Sequence, residues 1–436
     1  MPGIVYLIVM FVVAAVAIFR EKIASPSRIR RIQEKRLRRL IRRAKKNTPF
    51  YADLYRDIDP GKAVLADLPT IRKRDVMARL PDTLEERGVT LDEVIGFSQD
   101  KEQIGKYFRG KYVLCATSGT TGRVGYFFTT RYDWAVIRGV EFARLLRRRL
   151  GPKYLIKYLV FKRFRWAMLV ATGGHYITYL LMKLTPKATH YLANIKPFSI
   201  MEPIPEMVED LNKFDPHYLH GYPTFLEALA YEKLAGRLKI KPDFISSGSE
   251  PFSKTARAVL WRAFPDAELS ETYGTTEALS LANQCACGRL HINEDYVILE
   301  AVDEHNRPVP PGTRSRRTLV TNLVNCFQPL IRYELNDSII IHHADDVCPC
   351  GSPLRTVEVL GRSDDTFFLR DAMGHYHAFP PIPFEVLFLR VQGIRQYQLI
   401  HEEQNHLLIR YARSESSRPE EIEKNLISEF RGYLDS

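Results

Sequence analysis

Apolar and polar positions follow three successive patterns along the chain. From Gly3 to Phe19, seventeen consecutive residues carry no charge, a run that predicts a helix apolar on every side. From Arg20 to Lys46 the pattern reverses. Ile29, Ile32, Leu37, Leu40, Ile41 and Ala44 recur at helical spacing with Arg and Lys at most other positions, which predicts a basic amphipathic helix. Beyond Asn47 the periods alternate. Helices are predicted over 71–80, 130–150 and 253–264, the last with Ser253 as cap, and a buried strand or helix over 154–172. A strand should lead into the turn Gly221-Tyr222-Pro223 and a helix carrying Leu226, Leu229 and Leu234, and another strand should end in the turn at Gly248. Strands alternating with helices predict an α/β body. From Asp303 the texture shifts to short strands and turns, and after Gly361 to a small α+β tail, with a boundary near 360–365.

Composition adds little until charge is located. At 436 residues, 45% hydrophobic and 26% charged, the chain is long enough for two or three globular domains. Its net charge of +12 would suggest a nucleic-acid partner, but thirteen Lys/Arg and two Glu between Arg20 and Lys46 supply +11 of it. The body is close to neutral, which removes the case for nucleic acid. The seventeen-residue run would span roughly 26 Å as a helix, within reach of a membrane core. Met1-Pro2 before it and Phe19-Arg20-Glu21 after it do not fit a cleaved signal peptide. The expectation is a single-pass anchor with its N-terminus outside and the body in the cytoplasm, a buried or interfacial helix being the alternative. The basic helix either lies on an anionic membrane surface or packs its stripe on the body.

Candidate chemistry lies in the turns. "CATSGTTGRVGYFFTT", Cys115 to Thr130, places Thr117, Ser118, Gly119, Thr120, Thr121 and Gly122 between an apolar approach and an aromatic run. Glycines permit close approach and hydroxyls offer donors to anionic oxygens, so the loop suits phosphate; the plain alternative is a small-residue turn. "FISSGSEPFS" ends a strand at Gly248, Ser249, Glu250 and Pro251, where backbone groups can line the edge of a base. "ETYGTTEA" offers Tyr273 for stacking, Gly274, Thr275 and Thr276 for phosphate, and Glu277 for a divalent cation. Asp337 could accept both hydroxyls of a ribose, Arg362 is a fork donor, and Asp364 sits at the expected boundary.

In this order and spacing the motifs resemble the adenylate-forming superfamily, and within it the phenylacetate-CoA ligase branch with its relatives found beside capsule and exopolysaccharide genes. The resemblance runs roughly from Leu37 to Val391, starting at "NTPFY" and "LADLPTIRKRD". After the expected transmembrane anchor (3–19) and basic helix (20–46), it implies a large ATP-binding domain of mixed sheets and helices (47–362) and a shortened α+β domain (363–436). The opening loop, Thr121 included, would grip the β- and γ-phosphates of ATP. Glu250 and Tyr273 would border adenine, Glu277 would help bind Mg²⁺, Asp337 and Arg362 would take the ribose, and Asp364 would be the hinge. Gly174-His175 resembles the acid-pocket segment, where the imidazole could orient the substrate carboxylate. The implied activity is conversion of a small carboxylic acid to its acyl-adenylate, with transfer to CoA or another acceptor.

Two departures qualify that reading. The loop's basic residue is Arg123, and the tail shows only Lys424, without the family's Gly-Lys segment, where an adenylation lysine would stand. Transfer from a ready-made acyl-AMP or acyl-CoA, or a catalytically silent nucleotide-binding subunit of a polysaccharide assembly, are the alternatives. Four of six cysteines form Cys285-Ala-Cys287-Gly and Cys348-Pro-Cys350-Gly. Disulfides are disfavoured in a cytosolic body, and such knuckles resemble a structural Zn²⁺ site, with His291 able to replace one thiolate. Cys115 and Cys326 are expected to be packed thiols.

Overall fold

The computed structural model describes residues 3–117, 124–148, 164–172, 174–187, 189, 193–200, 202–250, 252, 254–362, 367–370, 376–379, 387–388, 391–403, 406–413 and 417–434. Ser118, Gly119, Thr120, Thr121, Gly122, Arg123, Pro251, Ser253 and Asp364 therefore lie outside the described residues, as does the side chain of Arg362. Two compact units are present: Met1–Leu335 with Ile339–Val359, and Asn336–Ser338 with Leu360–Ser436.

In the first unit, helix α1 (Gly3–Ile23) is followed by α2 (Pro26–Asn47), the short α3 (Pro49–Leu54) and α4 (Lys73–Ala78), then α5 (Leu91–Gln99). Ser25 starts α2 by accepting the amide of Arg28, and Thr48 caps α3 through the Tyr51 amide. The stripe of α2 is buried at Ile29, Leu37, Leu40, Ile41 and Ala44, the last four in one core with Phe50, Tyr51, Val297 and Tyr333. Fully burying each Leu or Ile contributes about 1.5–3 kcal/mol, so the aliphatic stripe seats on the body and the charges face out.

Strands β1 (Tyr112–Ala116) and β2 (Tyr126–Thr130) pair antiparallel, with Ala116 opposite Tyr126. Helix α6 (Arg131–Arg148) follows, then β3 (Phe164–Val170) and β4 (Ala193–Ser199); β3 settles the strand-or-helix question for the described part of 154–172. Next come β5 (Tyr218–Gly221), β6 (Phe244–Ser247) and β7 (Glu268–Tyr273), joined by helices Ile204–Phe214, Pro223–Leu234 and Lys254–Ala263. The expected helix over 71–80 is shorter than its pattern, because Pro81 sits in a separate 3₁₀ turn over Leu80–Thr83.

β8 (Ala282–Gln284), β9 (Leu290–Ile292), β13 (Asp337–Ile341) and β14 (Thr356–Arg362) extend one nine-stranded sheet, ordered β13-β14-β9-β8-β7-β6-β5-β3-β4. Its β7-β6-β5-β3-β4 portion is parallel, whereas β7, β8, β9 and β14 alternate in direction. A second sheet is β10 (Val297–Val302), β11 (Arg317–Asn322) and β12 (Tyr333–Leu335). The second unit holds two antiparallel pairs, Phe367–Arg370 with Tyr376–Phe379 and Ile394–Glu403 with His406–Arg413, plus helix Pro419–Leu434. Its core is Leu387, Phe388, Val391, Ile422, Leu426 and Phe430.

Candidate active site and metal cluster

In a parallel sheet with crossover helices, strand carboxyl ends share one edge, and ligands bind there where the winding reverses. Here β4 lies on one flank of β3 and β5 on the other, so the reversal falls beside β3. Gly174-His175 follows β3, Gly221-Tyr222 ends β5, Gly248-Ser249-Glu250 follows β6, and Tyr273-Gly274 ends β7. One edge thus gathers turns that are scattered over a hundred residues of chain.

These turns are tightly constrained. A Cβ on Gly274 would meet the Leu279 carbonyl oxygen at 1.9 Å, and one on Gly248 would meet the Thr272 hydroxyl at 2.9 Å. Ser249 holds φ at +71°, uncommon for a residue with a side chain and costing on the order of 1 kcal/mol. The Gly274 turn is closed from within: Thr275 donates its amide to Ala278 O at 3.1 Å and its hydroxyl accepts the Ala278 amide at 3.1 Å. Glu250 accepts hydrogen bonds from the Thr224 hydroxyl at 2.9 Å and the Thr224 amide at 3.4 Å. It thereby caps the first turn of helix Pro223–Leu234.

The shoulders of the opening loop are fixed as well. Thr117 donates its amide to Gly125 O at 3.0 Å, and its hydroxyl accepts from the Gly125 amide at 2.8 Å and from Lys73 Nζ at 3.2 Å. A Cβ at Gly125 would strike Phe127 at 2.7 Å and the Lys73 side chain at 2.9 Å. Sequence reasoning missed Lys73 as a site residue, although "LPTIRKRD" contained it; only the fold brings it to a loop 44 positions later. The Phe127 ring meets Tyr333 edge-on at 5.9 Å, and the Tyr333 hydroxyl donates to Glu277 Oε1 at 3.4 Å. One aromatic residue therefore bridges the loop's shoulder to Glu277. Burial, with Glu277 beside it, pushes the Tyr333 hydroxyl well above the usual phenol range, so it stays a donor.

His175 is 2% exposed, its Nδ1 is 3.1 Å from Ser98 O, and its ring lies 5.2 Å from that of Phe97. Burial pulls its pKa below the ordinary imidazole value. Its own carbonyl accepts the Ala116 amide at 3.0 Å, stitching the turn after β3 to the root of the opening loop. The imidazole packs on Phe97 and is held at Nδ1 by Ser98, while its Nε2 is buried without a hydrogen-bond partner, so its expected role on a substrate carboxylate stands as a proposal. Asp337 opens β13 and Arg362 closes β14, both in the second unit.

The sequence relatives agree with this geometry. A phenylacetate-coenzyme A ligase of Thermus thermophilus is 25% identical over 393 residues, 86% of this chain and 78% of that protein. CapK of Staphylococcus aureus is 21% identical over 350 residues, 77% of this chain and 68% of CapK. The chain resembles the adenylate-forming superfamily, in its phenylacetate-CoA ligase-like branch. Relatives and structural neighbours in that branch are AMP-forming CoA ligases. The fold of this phenylacetate-CoA ligase-like protein matches 2-hydroxyisobutyryl-CoA ligase in its postadenylation state with a TM-score of 0.70 at 19% identity, over 95% of this chain and 86% of that one. No family model matches the chain.

The ligase-like body also carries a cysteine–histidine cluster. Ligand atoms of Cys285, His291, Cys348 and Cys350 all lie within 4.8 Å of one another. Cys287, expected as a ligand, is exposed and outside this group; His291, on β9 opposite β8, occupies its place. Gly288 and Gly351, at φ +83° and +72°, close the two knuckles. Cys285 and Cys348 sulfurs are 3.7 Å apart, and Cys350 Sγ is 3.4 Å from His291 Nε2. With bonds of about 2.3 Å to sulfur and 2.0–2.1 Å to nitrogen, tetrahedral edges come to about 3.8 and 3.6 Å. His291 Nδ1 is 2.7 Å from Leu354 O, a bond that leaves Nε2 free of its proton. Burial raises the Cys285 and Cys348 thiols, but hydrogen bonds outweigh it and both sit below the ordinary thiol range. Cys115 is buried and its thiol is pushed up to about 12, which suits packing.

Proposed function

We propose that the protein activates a small carboxylic acid with Mg·ATP as an acyl-adenylate and passes the acyl group to CoA, working at a membrane face. The observation carrying this reading is the bridge from Gly125–Phe127 through Tyr333 to Glu277 at the strand-end edge of the sheet. A carboxylate attacking the α-phosphate brings two anions together, so the site must disperse charge as pyrophosphate leaves. The hydroxyl loop would wrap the terminal phosphates, Lys73 would supply a fixed cation at its root, and Glu277 would hold Mg²⁺, which neutralises phosphate oxygens. The Gly248–Glu250 turn and Tyr273 would border the base. Lys73 also gives the phosphates a cation where the tail offers no adenylation lysine.

Four protein ligands on Cys285, His291, Cys348 and Cys350 fit a closed structural Zn²⁺ site rather than a catalytic one. The CapK likeness favours a second reading, in which the acceptor is a saccharide of an envelope polysaccharide assembly. ATP–pyrophosphate exchange across a panel of carboxylic acids tests the first step. Acid-dependent exchange in one member, lost in Glu277→Ala, is expected. Nucleotide binding with no exchange under any acid would overturn the reading in favour of a silent subunit. Acyl transfer to CoA or to a saccharide acceptor then separates the two second steps.

A further inference from the structure

Helix α1 is apolar all round in sequence, yet it uses its two sides differently. Tyr6, Ala14, Ala17 and Glu21 are buried, and Met10 and Val13 close on α6, where a Cβ on Gly139 would fall 2.6 Å from Met10 O and 2.9 Å from the Val13 side chain. Both ends are pinned by charge on α6. The Tyr6 hydroxyl is hydrogen-bonded to Arg138, which is ion-paired with Glu141. At the other end Glu21 is ion-paired with Arg144, which also reaches Asp295 at 3.0 Å and Asn293 at 2.9 Å. Glu21 accepts from the Ser352 hydroxyl at 2.6 Å, and Arg20 meets Asp295 at 2.8 Å. Because α6 packs in turn with β1 residues Val113 and Cys115, α1 lies along the body for its whole length.

The opposite side of α1 is bare. Ile4 is 70% exposed, Ile8 56%, Val12 56% and Phe19 63%, at helical spacing along one stripe. α2 leaves the same region, since Gln33 donates to Glu294 O and Val297 O at 3.1 Å each and Arg20 of α1 holds Asp295. Its outward side carries exposed Arg28, Arg31, Lys35, Arg38, Arg39 and Arg42, with Glu34 as the acid among them. An oily stripe joined to a cationic one matches a single surface chemistry, an anionic bilayer with an apolar interior.

We infer that α1 and α2 seat the protein in the plane of an anionic membrane, α1 half-sunk among acyl chains and α2 on the headgroups, in place of a single pass with the N-terminus outside. A crossing helix would carry whatever packs along it into the membrane core, where charged side chains are costly. α1 gives one side to Arg138, Gly139 and Arg144 of a helix that belongs to the catalytic body. The inference stands apart from the adenylation reading, as its test needs no turnover.

Flotation of the full chain with vesicles of phosphatidylglycerol and phosphatidylcholine in equal parts tests it. The chain should rise with these vesicles and far less with pure phosphatidylcholine. Ile8→Glu with Phe19→Glu should abolish flotation while the melting temperature holds. Arg38→Gln with Arg42→Gln should weaken it about 25-fold, near fivefold per charge at low salt. A protease site placed ahead of Met1 should be cut in membranes turned cytoplasmic face outward. Protection of that site would establish a crossing helix and overturn the inference. Failure to float, with a concentration-dependent dimer lost in the double-Glu variant, would overturn it in favour of a second copy covering the stripe.

Discussion

The strand-end edge and the cysteine–histidine cluster are both built from glycine turns beside short strands of one sheet, yet they are finished in opposite ways. At the cluster every ligand atom points inward, His291 is oriented from behind by Leu354 O, and the four donors lie within 4.8 Å of one another. At the strand ends the turns are tied off individually. Glu250 caps a helix, Thr275 closes its own loop, and Tyr333 joins Glu277 to the shoulder of the opening loop. One arrangement would be complete once a metal arrived; the other, on the proposed function, would serve a ligand that enters and leaves. Holding and exchanging thus follow from where polar atoms are spent.

The largest effect that could break this contrast is on the cluster. Cys348→Ser should remove stoichiometric zinc, measured by metal analysis, and lower the melting temperature by roughly 10 °C or more, since structural zinc binding is worth on the order of 10 kcal/mol. Unchanged stability would mean that the cluster does not hold the fold. Next, Glu277→Ala should cut acid-dependent pyrophosphate exchange on the order of 10²-fold with little change in melting; a collapse of both together would show the two regions to be built alike. A pH effect comes third. Burial pulls His220, whose Nδ1 is 2.6 Å from Ser246 Oγ, down to about 4, so the folded state disfavours a proton that the unfolded chain takes up near 6.5. Stability should be unaffected above pH 6.5 and should fall by up to about 3 kcal/mol as pH drops from 6.5 to 4. His220→Gln should flatten that slope in urea titrations. Smallest, Tyr333→Phe should lower exchange roughly fivefold, the worth of one hydrogen bond to a charged group, with metal content unchanged.

The strand-end turns were legible as turns because glycine and hydroxyl clusters interrupt the apolar pattern, and the parallel strands that align them show as short apolar runs. Lys73 was not, since nothing local distinguishes it from Arg72 or Arg74. His291 was visible only as a substitute, because the pairing of β8 and β9 decides which side chain faces Cys348 and that pairing is not written in the Cys-x-Cys spacing. The sidedness of α1 was invisible for a different reason. In a uniformly apolar helix, face is chosen by size and by partners: Ala14 and Ala17 allow close approach, but Val140 and Ala143, which share their core cluster, lie more than a hundred residues away. The α2 stripe, by contrast, was marked residue by residue because its charges exclude burial.

The Glu21–Ser352 hydrogen bond has a practical corollary. Ser352 stands two residues beyond Cys350, and Glu21 shares Arg144 with Asp295, so trimming away the oily leader to obtain a well-behaved sample would take one of two carboxylates from a buried guanidinium and loosen the segment that carries Cys348 and Cys350. A tractable preparation should keep all twenty-one residues of that helix and repaint only its outer rim with polar side chains.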